Sequence, residues 1–577
     1  MCERHRRLVL QQRYDDPRQE LSQGVRRQLP GSVLVVTTFE GPPLDSATGI
    51  GALTMGGFLD EITARFANRE ALVFDDPLRD GATVRWSYAD LHDQAYRVAR
   101  ALIADGVERG TSVGIVMGNR PEAVAALFGA ALAGAVVVPM STFASASELA
   151  HMVTTAHVSV VLTQERLLNR HFADDFSALA PSLPGLRRVV VCDGDDGWER
   201  FLAGGDAVSP VLVSERAGAV TPDDDALVIF SSGTTSTPKA MLHHHRSPTL
   251  QFWVQARIFG RHEDTRMWTA LPLFWTAGLN SAMGSTLATG GCWVMQETFE
   301  PGEALRLLSR ERVTEPYTLP HQTGALAEHP DWALSDLSAL RCVYGKSAFA
   351  RHPSVHGDPG WVMPVGYGLS ETCAFFAAHP SDTPREVTKQ SIGRLLPGNR
   401  LRVVDPETGR ELGVGEEGEL TLSGPTLMRR YLGRTPEECF DADGFFHTGD
   451  TGHVDAEGYV HFSGRRTEMI KTGGANVSPA ELEVELRACP PVKLARIVGI
   501  PDPRLDQIVV ACITLKDGAV ANADDIRSFL QGRVAAYKVP KRVVFFADGE
   551  IPMTASATKV RDDDLVALVE ARLAREA

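Results

Sequence analysis

No Cys-x-x-Cys pair occurs in this chain: its eight cysteines stand singly at positions 2, 192, 292, 342, 373, 439, 489 and 512. That excludes a disulfide framework or a zinc module and points to reduced thiols in a cytoplasmic protein. His243, His244 and His245 run consecutively, but sequence neighbours do not share a helix face, so a polar loop or strand edge is expected there rather than a metal site. Long apolar runs are also missing. A long uncharged stretch, Ala123 to Met140, is broken by Gly129, Gly134 and Pro139, so no membrane span is expected. Positive charge is scarce, with 58 Lys and Arg against 73 Asp and Glu and a net charge of -15, which argues against nucleic acid or an anionic membrane surface as partner. There is no repeat of solenoid period. The one Gly-Lys-Ser, Gly345-Lys346-Ser347, has Leu340 five residues before its glycine, so the G-x-x-x-x-G-K-[ST] phosphate loop is excluded.

What remains is long enough, at 577 residues and 62.6 kDa, to require two or more domains. Strand-like runs at Ser112–Met117, Val158–Leu162 and Val189–Val191 alternate with amphipathic segments such as Tyr88–Ala104, the pattern of parallel sheets covered by helices. Asn119-Arg120-Pro121-Glu122 offers a helix start, Gly134 a stop and Ala135–Val138 a buried strand. After Ser423 the texture changes to short strands with turns at Asp441–Gly444 and Asp455–Gly458. Ser478-Pro479-Ala480-Glu481 then reads as a capped helix start, followed by strands at Ala495–Ile500 and Gln507–Leu515 and a helix from Asp524 to about Val534. Met1–Arg27, with seven arginines interleaved with acids and no apolar core, fits neither a secretory signal nor a transit peptide. The first fifty residues read as a disordered extension, or as lying upstream of an internal start at Met55.

The segment Phe230–Lys239, FSSGTTSTPK, follows the apolar run Ala226–Ile229. Its glycine and small residues let backbone N–H groups approach an anion, its hydroxyls add donors and Lys239 adds positive charge, so it reads as a phosphate-holding loop. Three further segments follow in order: Gly366-Tyr367-Gly368-Leu369-Ser370-Glu371-Thr372, Phe446-His447-Thr448-Gly449-Asp450, and Gly464 to Gly474. Together the four resemble the adenylate-forming superfamily of acyl-CoA synthetases, peptide-synthetase adenylation domains and beetle luciferases, over roughly Gly56 to the C-terminus.

The resemblance implies an α/β fold. A large N-terminal domain of parallel sheets covered by helices, with a short-strand barrel-like part, spans 51–464, and a small mobile α+β C-terminal lid spans 465–577. It implies ATP, Mg²⁺ and CoA as cofactors. Ser231, Ser232, Gly233, Thr234, Thr235 and Lys239 would grip the β- and γ-phosphates. Tyr367 and Gly368 would meet adenine, Ser370 the α-phosphate, and Glu371 a Mg²⁺ ion through oxygen. Asp450 would accept from the ribose hydroxyls and Arg465 would contact ribose and phosphate. Lys559, in Pro552–Arg561, would bridge the substrate carboxylate and the α-phosphate. Lys471, Gly473 and Gly474 would approach the pantetheine. Phe274, Trp275 and Phe375 would line an apolar acyl pocket, as expected for a medium- or long-chain fatty acid or a bulky cyclic or aryl acid.

Four departures from the family pattern stand out. Thr558 replaces the glycine before Lys559 in a loop one residue longer than usual, Thr467 sits at the hinge, Trp275 replaces a frequent histidine, and Lys346 replaces a small residue near the adenine. Carrier-protein and amine acceptors stay open beside CoA, as does a silent binding homolog, and monomer and homodimer are both open.

Overall fold

The computed structural model describes residues 37–193, 197–231, 238–345, 347–356, 363–465, 469–472, 475–502, 505–531, 533–534, 538–553 and 560–576. Two sheets dominate the first part of the chain. One has seven strands in the order Arg430–Tyr431, Ala240–His244, Asp225–Phe230, Val136–Pro139, Ser112–Val116, Val158–Thr163 and Arg188–Val191, with the last five parallel. The other has five, Glu315–Pro316, Arg266–Thr269, Cys292–Met295, Glu70–Asp76 and Ala82–Ser87, closed by an antiparallel hairpin. The strands expected at Ser112–Met117, Ala135–Val138, Val158–Leu162 and Val189–Val191 all lie in the seven-stranded sheet, within a residue of their predicted ends.

The helices form for local reasons legible in the chain. Ser87 accepts from the Asp90 amide while the Asp90 carboxylate accepts from the Ser87 amide, a reciprocal cap that starts Tyr88–Ala104. That helix buries Leu91, Ala95, Val98, Ala99 and Leu102, one stripe at three- and four-residue spacing. It packs on Pro121–Leu132, which proline opens at its first turn and Gly134 (φ +79°) stops. The two helices meet so closely that a Cβ at Gly129 would stand 2.5 Å from Val98 Cγ1.

The two large sheets are tied by charge as well as by packing. Arg120, at the start of Pro121–Leu132, is buried between Glu122 (2.9 Å), Glu297 (3.4 Å) and Asp76 (3.7 Å), of which Asp76 ends a strand of the five-stranded sheet and Glu297 follows another. Burial leads the shift that holds the Glu297 carboxyl above its ordinary range.

An antiparallel sheet of Thr38–Glu40, Arg400–Val404, Gly418–Ser423, Phe446–Val454 and Val460–Arg465, with Glu411–Leu412 at its side, curls round a core it shares with the hairpin Gly366–Leu369/Ala374–Ala378. Here the expectation for the first fifty residues is corrected in part: Thr38–Glu40 pairs with Arg400–Arg402, and Met55 opens a buried helix capped by Thr54. Residues 1–36 lie outside the described residues. The histidine run is corrected too. Ala240–His244 is an interior strand, and His243 and His245 are fully buried.

A separate sheet of Ile470–Thr472, Ala475–Val477, Val492–Asp502, Asp506–Leu515 and Arg542–Phe545 forms the small C-terminal domain with helices Pro479–Arg487, Ala523–Leu530 and Asp562–Glu576. Ser478 caps the first of these as expected. The second ends four residues short of Val534, because Gln531 turns to extended backbone.

Candidate functional site

The strands Asp225–Phe230 and Ala240–His244 run antiparallel with Phe230 opposite Ala240, so Ser231–Lys239 is the tip of a hairpin. Its base is pinned twice. The Ser231 amide donates to the Lys239 carbonyl at 2.9 Å, and the Lys239 amide donates to Ser231 Oγ at 3.1 Å. Ser232, Gly233, Thr234 and Thr235 lie outside the described residues. Lys239 Nζ stands 5.4 Å from the ring centroid of Tyr431, in cation–π range.

Tyr431 belongs to the short strand beside Ala240–His244, and its hydroxyl donates to Glu371 Oε1 at 2.6 Å. One tyrosine therefore links the end of the phosphate-type loop to the acidic residue of the second motif. Burial and the neighbouring Glu371 carboxylate both push the Tyr431 hydroxyl well above its ordinary pKa, so it stays a donor. Nothing in the sequence pointed to Tyr431, because it lies sixty positions from Glu371 and the partnership exists only through the sheet.

Glu371 sits in the Ser370–Thr372 turn of the hairpin Gly366–Leu369/Ala374–Ala378. Gly368 is required by contact: a Cβ there would lie 1.8 Å from the Ala374 carbonyl oxygen. On the same hairpin the Tyr367 hydroxyl donates to Asp450 Oδ2 at 2.7 Å, and Arg465 Nε donates to Asp450 Oδ1 at 3.0 Å. Asp450 and Arg465 are opposed in adjacent strands. The third motif and the start of the fourth thus meet the second by register rather than by chance of side-chain reach. Asp450 is only 2 % exposed, and burial leads the causes that raise its carboxyl pKa, against the lowering pull of Tyr367 and Arg465.

The expected apolar pocket residues divide. Phe274 and Trp275 meet edge to face at 5.9 Å, with Phe143 against both, beside a small apolar cavity lined by Ile115, Met117, Leu127, Met140 and Leu273. Asn119 clamps the approach to them, donating to the Leu271 carbonyl at 2.9 Å and accepting from the Leu273 amide at 3.2 Å. Phe375 stacks instead on Phe259 at 6.3 Å, and Phe259 meets Tyr317 edge-on at 5.7 Å. Lys346, Thr467, Gly473, Gly474, Thr558 and Lys559 lie outside the described residues, and of Lys471 the strand backbone alone is described.

A cation, two carboxylates, an arginine and the hydroxyls of Ser231, Tyr367 and Tyr431 are thus linked through Ser231 and Lys239 at the base of the hairpin, the Ser370–Thr372 turn and the Asp450–Arg465 strand pair. Such a surface suits an anionic ligand that also carries hydroxyl groups. Comparison with known proteins gives a match of residues 59–432 to the AMP-binding enzyme family and of residues 481–558 to the AMP-binding enzyme C-terminal domain. Among curated relatives, the indoleacetate–CoA ligase of Aromatoleum aromaticum is 33% identical over 494 residues, covering 84% of this chain and 93% of that protein. A feruloyl-CoA synthase from an Amycolatopsis species is 32% identical, covering 83% and 93%. Among solved structures, ATP-bound MatB from Rhodopseudomonas palustris superposes with a TM-score of 0.72 at 26% identity, covering 89% of this chain and 99% of that one. The amide bond synthetase McbA from Marinactinospora thermotolerans gives the same four values.

Proposed function

This chain belongs to the AMP-binding enzyme family, and on that premise we propose that it is an AMP-forming acid–thiol ligase acting on a hydrophobic carboxylic acid. An oxygen of the substrate carboxylate attacks the α-phosphorus of ATP, the bond to the bridging oxygen breaks and pyrophosphate leaves. The sulfur of CoA then attacks the acyl carbon, the bond to AMP breaks, and the thiol proton passes to solvent. The first step needs no general base, because the acid is ionised near neutral pH. It needs positive charge and positioning.

The observation that carries this reading is the convergence of Lys239, Glu371, Tyr367, Asp450 and Arg465 from four sequence motifs. In it, Ser231–Lys239 holds the β- and γ-phosphates, Tyr367 and Gly368 flank adenine, and Ser370 faces the α-phosphate. Asp450 accepts from the ribose hydroxyls, where a buried carboxylate already receives two donors. Arg465 lies at the junction we assign between a large domain over 51–464 and a small one over 465–577. Glu371 presents an oxygen donor of the kind Mg²⁺ takes, and that ion when bound would offset phosphate charge. Lys559 bridges acid and α-phosphate, and Lys471–Gly474 lies against pantetheine.

An aromatic or bulky cyclic acid fits the Phe143–Phe274–Trp275 and Phe259–Phe375 groups, in keeping with relatives named for indoleacetate and ferulate. A medium- or long-chain fatty acid is the other class to test. Likeness to an amide bond synthetase supports an amine as the alternative acceptor. The deciding assay supplies ATP, Mg²⁺ and a panel of aryl, cyclic and fatty acids with CoA, a carrier protein or amines. AMP and pyrophosphate should be released with CoA, and no AMP across the panel would refute the proposal.

A further inference from the structure

The turn that carries Glu371 is built against its own conformational preference. Cys373 has φ +60° and ψ 0°, and Ala374 has φ +154°, both positions that L-residues avoid. What holds them is visible in the carbonyls, taken in order. The Ser370 carbonyl accepts from His243 Nε2 at 3.0 Å and the Glu371 carbonyl from the Met428 amide at 2.7 Å. The Thr372 carbonyl accepts from Gln251 Nε2 at 3.1 Å, and the Cys373 carbonyl from Asn280 Nδ2. The Ala374 carbonyl meets the Thr372 hydroxyl at 2.7 Å, and the Phe375 carbonyl accepts from Gln251 Nε2 at 2.6 Å. Six consecutive carbonyls are thus gripped, three of them by two amide side chains that are themselves at most 1% exposed.

These two amides have no other evident reason to be buried. Gln251 lies in the helix Arg246–Ile258, oriented by Gln255, which donates to its Oε1 at 2.8 Å. Asn280 lies in the π-helical turn Ala277–Gly284, which begins two residues after Trp275. A π-helical turn is uncommon and shifts which residues face a neighbour; here it presents Asn280 to the Cys373 carbonyl. Burying polar groups costs free energy that their hydrogen bonds must offset, so the grip defines one geometry of the turn rather than adding bulk stability.

We infer that Gln251 and Asn280 are positioning residues. They hold the strained Cys373–Ala374 step, and with it the Ser370–Glu371–Thr372 turn that it closes, so that the Glu371 carboxylate stands ready for a magnesium–nucleotide complex, without either side chain touching it. The assignment rests on Glu371 belonging to the nucleotide site. Asn280 also joins that turn to the segment bearing Phe274 and Trp275, so the metal-side carboxylate and the acid-side aromatics share one support.

The test uses the full chain and isothermal calorimetry with ATP in Mg²⁺ and, separately, in EDTA. Gln251→Met and Asn280→Leu keep volume and remove the donors, and Gln164→Met removes amide-to-backbone bonds on another loop. The expected result is about a tenfold weaker Kd for magnesium–ATP in the first two, a smaller change in EDTA, and a rise in KM for magnesium–ATP, with the KM for acid unchanged in Gln251→Met and raised as well in Asn280→Leu. Gln164→Met should lower Tm while leaving Kd within about twofold. If Asn280→Leu does not fold, Asn280→Ser replaces it. Kd values within twofold of the parent for both donor-less variants, or equal weakening by Gln164→Met, would overturn the assignment. A parent protein that takes up no ATP would instead overturn the functional reading beneath it.

Discussion

The Tyr431 hydroxyl donates to Glu371 Oε1 at 2.6 Å while the ring of the same residue faces Lys239 Nζ at 5.4 Å. A neutral side chain therefore stands between the cation of one motif and the carboxylate of another, orienting both and discharging neither. Tyr431→Phe keeps the ring under Lys239 and removes the donor. Hydrogen bonds to charged groups contribute about 1.5–3 kcal/mol, so kcat/KM for magnesium–ATP should fall about tenfold in a pyrophosphate-release assay with little change in Tm. An unchanged kcat/KM would remove Tyr431 from the site.

Asp450 offers a separation of stability from function. Its carboxyl pKa is raised, with burial the first cause, so the folded protein holds that proton more tightly than the unfolded chain, and ionising it as pH rises costs stability. Arg465 offsets little of this, since its side chain is half exposed. Asp450→Asn should leave Tm at pH 7 unchanged or higher, yet weaken ATP binding about a hundredfold by calorimetry, because an amide cannot accept from two ribose hydroxyls as a carboxylate does. A large fall in Tm would contradict the electrostatic account.

The buried histidines set an acid limit. Burial lowers His243 to about 3 and His244 and His245 to about 4, helped by nearby positive groups at His243 and His244 and opposed by Asp224 at His245. In the unfolded chain they titrate near their ordinary value, so between that value and about 4 the unfolded state binds more protons. The stability they permit is present at neutral pH and is lost as pH falls, with a slope of about 1.4 kcal/mol per pH unit for each histidine. Urea denaturation between pH 6.5 and 5 should show this slope. His245→Asn, which keeps an acceptor for the Met55 amide, should reduce it by about a third. A flat profile would mean the histidines are hydrated in solution.

Trp275 is half-buried and lies edge-on to Phe274 and Phe143, beside the small apolar cavity that Phe274 lines. Trp275→Ala should raise the KM for a preferred aryl acid about tenfold, through lost aromatic contact, while leaving the KM for ATP unchanged. Equal effects on both substrates would place the indole elsewhere in the reaction.

Much of the fold was legible because its signals are local. The Ser87 and Ser478 caps, Pro121 at a helix start and the apolar runs of the parallel strands each state their conformation within a few residues. The site was legible as motifs, and Lys239, Glu371, Asp450 and Arg465 do converge. What could not be read is whatever depends on strand order. Tyr431 reaches Glu371 only because a two-residue strand adds itself beside Ala240–His244. The histidine run reads as surface until that same pairing encloses it. Gln251 and Asn280 look like ordinary polar residues in helices, since their partners are carbonyls more than ninety positions away.

Lys239 follows from the seven-stranded sheet and Trp275 from the five-stranded one, so the proposed anchorages of phosphate and acid are rooted in different layers. Between those layers stands Arg120, a single guanidinium answering Asp76 and Glu297 across the seam. The gap the two reactants must close is therefore gauged by an ionic tie rather than by apolar contact alone. Solution conditions that loosen buried ion pairs would first be felt as misalignment of the reactants, before any loss of fold.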